Sequence, residues 1–187
     1  MTDFETYLRL GFEHIADFAA YDHILYICAV CAIFQPKEWK KVGLLITAFT
    51  IGHSLTLALS VTNILVLKSK YVEILIPITI LITAIYNFWN VQNSVSWKNY
   101  FITLFFGFIH GMGFSYLLKT LLGKESDIFV PLLAFNLGIE LGQIGIVGIF
   151  LLLSIITGFT GLTHNIWKKG VSFLIILMTL YMLWERL

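Results

Sequence analysis

Six long apolar runs, with only brief polar breaks between them, constrain this chain more than any other feature. The runs are Ala19–Phe34, Val42–Leu67, Val72–Val91, Tyr100–Leu122, Phe129–Gly158 and Gly170–Trp184. A bilayer core is about 30 Å thick, so a spanning helix needs about 20 mainly apolar residues. The first and last runs are short and must borrow flanking residues. The fifth is long enough to tilt or bend. The breaks at Gln35–Lys41, Lys68–Lys70, Asn93–Asn99, Gly123–Asp127 and Thr163–Lys169 leave no room for a soluble domain. The expected fold is therefore all-α. It is an integral membrane bundle of six transmembrane helices, one domain over residues 1–187.

Composition agrees. Of 187 residues 58% are hydrophobic and 12% charged, against about 45–50% and about 25% in soluble domains. So few charges cannot cover a soluble surface, and disorder needs the opposite balance. A net charge of +1 gives no basic footprint for nucleic acid. The first twenty residues hold Asp3, Glu5, Glu13 and Asp17 against a single base, Arg9. From that balance no cleavable signal peptide is expected, and the first span is expected to direct its own insertion.

Residues 3–18 have a different character. Phe4, Tyr7, Leu8, Phe12, Ile15 and Phe18 recur at helical spacing, with acids on the other side. The stripe predicts an amphipathic helix lying in the interface. Its acidic face argues for packing against the protein's own helices, or for drawing cations to an entrance. Loop charges divide six against six. Lys37, Lys40, Lys41, Lys98, Lys168 and Lys169 oppose Arg9, Lys68, Lys70, Lys119, Lys124 and Arg186. The cluster in the first loop favours a cytoplasmic placement for that loop. Six spans then put both termini outside the cytoplasm.

Ionisable groups at membrane depth are expensive and mark function. The first span opens with Asp22 and His23, within reach of His14 and Asp17. His53 lies near the middle of the second, between Thr50 and Thr56. His110 lies mid-span in the fourth, among Gly107, Gly111 and Gly113. In the fifth, Asn136, Glu140 and Gln143 fall within about 60° of one another on a helix. Gly138, Gly142 and Gly145 gather opposite and can press on a neighbour. Imidazoles with carboxylates suit Ni²⁺, Co²⁺, Zn²⁺ or Fe²⁺. The candidate metal residues are His14, Asp22, His23, His53, His110, Asn136, Glu140 and Gln143. Cys28 and Cys31, inside an apolar helical run, read as packing residues.

Four segments resemble the HupE/UreJ family of small membrane proteins. They are Gly11-Phe12-Glu13-His14-Ile15 with Tyr21-Asp22-His23-Ile24-Leu25, then Ala48 to Leu57 around Gly52-His53, Phe106 to Phe114 around His110, and Phe135 to Gln143 around Glu140. The resemblance runs from Gly11 to Gln143. It implies a six-helix permease associated with nickel, in the inner (cytoplasmic) membrane of a bacterium, with Asp22, His23, His53, His110 and Glu140 on the metal's path. The residues leave two functions open. One is a divalent-cation permease, with lipid and a metal ion as partners and Ni²⁺ favoured. The other is a membrane-embedded zinc hydrolase acting on a lipid-like substrate, with Ser54 or Ser115 near the metal. A structural or sensory bundle holding a buried polar network without metal is a third.

Overall fold

The computed structural model describes residues 3–19, 21–65, 68–90, 96–122 and 128–187. Among them the chain forms seven α-helices and no strand. They are α1 (Asp3–Ile15), α2 (Asp22–Ala32), α3 (Trp39–Val61), α4 (Ser69–Trp89), α5 (Trp97–Leu122), α6 (Phe129–Phe159) and α7 (His164–Arg186), with a single 3-10 turn, Pro36–Glu38, leading into α3. The expected ends Leu67 and Val91, and the breaks through Asn93 and Gly123–Asp127, lie outside the described residues.

Among the described residues four helices are long and apolar enough to cross a membrane: α3 with its leading turn, α4, α6 and α7. The 26 residues of α5 extend about 39 Å at 1.5 Å each. The first expected span is different. α2 has 11 residues, about 16 Å, roughly half a bilayer core. The apolar run Ala19–Phe34 extends past the helix because hydropathy does not sense local turns. Asp17 Oδ1 accepts the Ala19 amide at 2.8 Å, and a turn at Ile33 closes the other end, with the Phe34 amide donating to the Cys31 carbonyl at 3.0 Å. The last span is longer than expected. Thr163 caps α7, accepting the Ile166 amide on its hydroxyl, so the polar stretch His164–Lys169 is helix, not loop. Lys168 is buried there and donates to the Asn90 carbonyl.

Packing is organised around two close crossings. α3 lies on α5, and a Cβ on Gly52 would sit 2.0 Å from the Leu104 carbonyl oxygen. Gly107 and Gly111 answer from α5, 2.1 Å from the Phe49 oxygen and 2.3 Å from that of His53. α1 lies on α6 in the same manner, with Gly11 1.9 Å from the Phe135 oxygen and Gly138 2.0 Å from that of Leu8. Gly142 meets Ile15, whereas Gly145 meets nothing. Lipid gives no hydrophobic drive between helices, so such small-residue contacts carry the association. α1 therefore packs along α6, in line with its acidic outer face.

The other helices close the bundle. α2 runs beside α4 and α7: Asn87 Nδ2 donates to the Ala29 carbonyl at 2.5 Å, and His164 Nε2 lies 3.3 Å from that of Ile33. α3 and α6 run antiparallel, joined by Thr50 to Gln143 and by Ser54 to Asn136. The end of α3, Asn63 at φ 61°, accepts from Lys119 near the end of α5.

Candidate functional site

Four helices deliver one histidine each to the same depth. His14 is in the last turn of α1 and His23 in the first turn of α2. His53 and His110 are drawn together by the glycine crossing of α3 and α5, where Gly111 lies on the His53 backbone. Ring centroids are 4.7 Å apart for His14 and His23, 5.8 Å for His23 and His53, 5.9 Å for His14 and His53, and 5.3 Å for His23 and His110. His53 and His110 have no exposed surface.

A ligand atom from each of His14, His23 and His53 lies within 4.8 Å of the other two. Two nitrogens on opposite sides of one ion, each about 2.1 Å from it, are about 4.2 Å apart. The group is thus slightly wider than a closed coordination shell. Most of the imidazole nitrogens gathered there also lack a hydrogen-bond partner. His14 Nε2, both nitrogens of His23, both of His53, and His110 Nε2 are buried without a hydrogen-bond partner. Of these only His23 Nδ1 has a polar atom close by, the Asp22 carboxylate; buried polar atoms are nearly always satisfied, so the other five in one group point to a missing ligand. Neutral imidazole nitrogen offers a lone pair in the plane of its ring, which suits a borderline divalent metal. His110 is prepared in the usual way: Nδ1 donates to the Phe106 carbonyl at 2.8 Å, which turns Nε2 inward as the acceptor.

Behind the histidines stands a chain of polar contacts. His23 Nδ1 lies 3.0 Å from Asp22 Oδ1, an ionic contact without the angle of a hydrogen bond. The same oxygen accepts the His23 amide at 2.9 Å. Asp22 Oδ2 faces Arg186 Nη2 at 3.2 Å. Arg186 Nη1 then donates to the Glu73 carbonyl at 2.9 Å. That carbonyl is free because the residue four positions on is Pro77, which has no N–H to offer. The end of α7 thus satisfies a gap in α4 and holds the carboxylate beside His23.

The polar stripe of α6 is used differently from the expectation. Asn136 Oδ1 accepts from Ser54 Oγ at 2.5 Å and its Nδ2 donates to Leu132. Gln143 Oε1 accepts from Thr50 Oγ1 at 2.7 Å. Both residues therefore join α6 to α3. Glu140 is half-buried between them and is not among the groups converging with His14, His23 and His53. Ser54 is committed to Asn136, and Ser115 Oγ donates to Met112 of its own helix. Cys28 and Cys31 are free thiols on α2, Cys31 within the core.

Two cavities approach the histidines from opposite ends. An open cleft of about 610 Å³ lies between the end of α1 and α5, lined by Glu13, His14, Asp17, Phe18 and Phe114. Glu13 is paired with Arg9 at 2.7 Å. A smaller cavity of about 290 Å³ opens between α2, α3, α4 and α5, lined by Tyr26, Thr83, Asn87, Lys98, Thr103 and Phe106 among others. The sequence reading named all four clustered histidines. It missed Arg186 and Tyr26, and no local signal marks either: one closes a contact across 164 residues, and the other is one aromatic among many.

The family model described as HupE / UreJ protein matches residues 1–186. No curated protein and no solved structure matches the chain.

Proposed function

On the premise that the chain belongs to the HupE/UreJ family, membrane proteins associated with transition-metal transport, we propose that it is a permease for a divalent metal ion, with Ni²⁺ the favoured substrate. The observation that carries this reading is the group of imidazoles on four helices, five of whose buried nitrogens have no partner. Nitrogen ligands alone would not choose among Ni²⁺, Co²⁺ and Zn²⁺; the family favours nickel. Ligands on separate helices also suit transport better than storage, because each helix can withdraw its own imidazole and so weaken the site for release.

The ion enters by the cleft at the end of α1. Asp17 lowers the potential there, and His14 is the first nitrogen met. It passes to His23 and His53, then to His110, with Glu140 flanking the path on α6. Asp22, held by Arg186, fixes His23 and offsets the ion's charge. α1 and α2 together make one discontinuous crossing, which with α3 to α7 gives six. Basic residues divide evenly between the two ends, and the end that carries the tight cluster Lys37, Lys40 and Lys41 faces the cytoplasm. The cleft by His14 then faces outward, and the direction is import.

The test pairs binding with movement. Purified protein should bind Ni²⁺, and proteoliposomes containing it should accumulate Ni²⁺. His53→Ala should weaken binding at least tenfold and reduce uptake in proportion, with helical content unchanged. Binding and uptake both unaffected by this substitution would sink the reading.

A further inference from the structure

We propose that the smaller cavity is the second mouth of the histidine cluster, and that Tyr26 is the gate that shuts it. This rests on the transport reading above.

The histidines stand between the two cavities along the helix axes. On α5, Phe106 lines the smaller cavity, His110 follows after four residues, and Phe114 lines the open cleft after four more. Each step is one turn, about 6 Å. On α3, Leu45 lines the same cavity, and Phe49 and His53 follow at the same spacing. What separates the smaller cavity from His110 is one ring. Tyr26 is almost fully buried. It stacks on Phe49 at 4.8 Å, lies edge-on to Phe106 at 6.2 Å, and sits 5.0 Å from the His110 ring. Its hydroxyl is hydrogen-bonded to Thr103 of α5. Beyond the ring the walls carry Thr83, Asn87, Ser96 and Asn99, with Lys98 on α5 near the end of the bundle. Polar side chains at such depth suit a partly hydrated ion.

A repeat in the chain explains why there are two mouths. Leu8-x-x-Gly11-Phe12-x-His14-x-x-x-Phe18 recurs as Leu104-x-x-Gly107-Phe108-x-His110-x-x-x-Phe114. Ala48-Phe49-x-Ile51-Gly52 recurs as Ala134-Phe135-x-Leu137-Gly138. The copies make the same contacts. Gly138 rests on Leu8 O and Phe12 N, and Gly52 rests on Leu104 O and Phe108 N; Gly11 and Gly107 meet the carbonyls of Phe135 and Phe49. One crossing is thus built twice. The α3–α6 hydrogen bonds run in antiparallel register, so the second copy is inverted relative to the first. Inverted repeats place a substrate site at their junction and open it to each side in turn. His14 and His110 are equivalent positions of the two copies. His14 lines the open cleft, and His110 waits behind Tyr26.

The experiment uses the full chain in proteoliposomes, with Cys28→Ser and Cys31→Ser, and Thr83→Cys in the wall of the smaller cavity. A bulky methanethiosulfonate attached at position 83 should cut Ni²⁺ uptake at least tenfold relative to the same variant before labelling. Ni²⁺ binding by the labelled protein in detergent should stay within twofold. Undiminished uptake after complete labelling overturns the second mouth and leaves the transport reading standing. No binding and no uptake before labelling overturns the transport reading, and this inference with it. In a second arm, Tyr26→Ala should raise Ni²⁺ efflux from preloaded vesicles at least fivefold, since both mouths then stand open. Efflux equal to that of the unsubstituted protein overturns the gate.

Discussion

Arg186 shows how one side chain can govern a site it does not touch. It bridges the carbonyl that Pro77 leaves free on α4 and the carboxylate of Asp22, and Asp22 contacts His23. Outer groups that orient a ligand are worth about 10–100-fold in metal affinity. Arg186→Ala should therefore weaken Ni²⁺ binding about tenfold in calorimetry, and Arg186→Lys should recover part of the loss. An affinity unchanged in both variants would remove Arg186 from the account. Acid should act more broadly. A proton on an imidazole occupies the lone pair that a metal needs, so protons and metal compete. The sign is definite: affinity falls as the pH is lowered. Equilibrium binding at a series of pH values checks this, and a flat profile would contradict ligation by these histidines. The histidines themselves were legible in the sequence because an imidazole at membrane depth stands out against an apolar run. Arg186, Pro77 and Asp22 form one device only after folding, so nothing local joins them.

At the scale of elements, two glycine-lined crossings set the cluster. Where a Cβ on Gly138 would meet the Leu8 oxygen at 2.0 Å, Gly138→Ala must push α1 off α6. Overpacking of this kind costs about 1–3 kcal/mol or more, and His14 travels with α1. We expect a lower melting temperature together with weaker Ni²⁺ binding. Gly145→Ala on the same helix meets nothing within 4 Å and should alter neither. The pressing face of α6 was readable from the four-residue spacing of Gly138 and Gly142, since spacing alone fixes a helix face. Which helix would lie against it was not readable. The shortness of α2 was hidden for another reason: an apolar run counts Ile33 and Phe34 as span, while the turn at Ile33 ends the helix. Polar residues misled in the opposite direction at His164–Lys169, where Thr163 supplies a cap and the buried Lys168 finds the Asn90 carbonyl.

For the whole molecule, scarcity of charge led to the membrane, and the few polar groups retained inside converge. Asp22, the four histidines and the Thr50–Gln143 and Ser54–Asn136 bonds lie where the α1–α6 and α3–α5 pairs meet. A bundle held by glycine crossings within each pair, and by two side-chain bonds between α3 and α6, can shift at that junction without remaking its core. The imidazoles at the junction would then be what holds the metal. X-ray absorption at the nickel edge, on Ni²⁺-loaded protein, tests this most directly. The metal should show about three imidazole nitrogens at about 2.0–2.1 Å, lost in the triple variant His14→Ala, His23→Ala, His53→Ala. A shell of oxygen alone, or a spectrum unchanged by that variant, would contradict it.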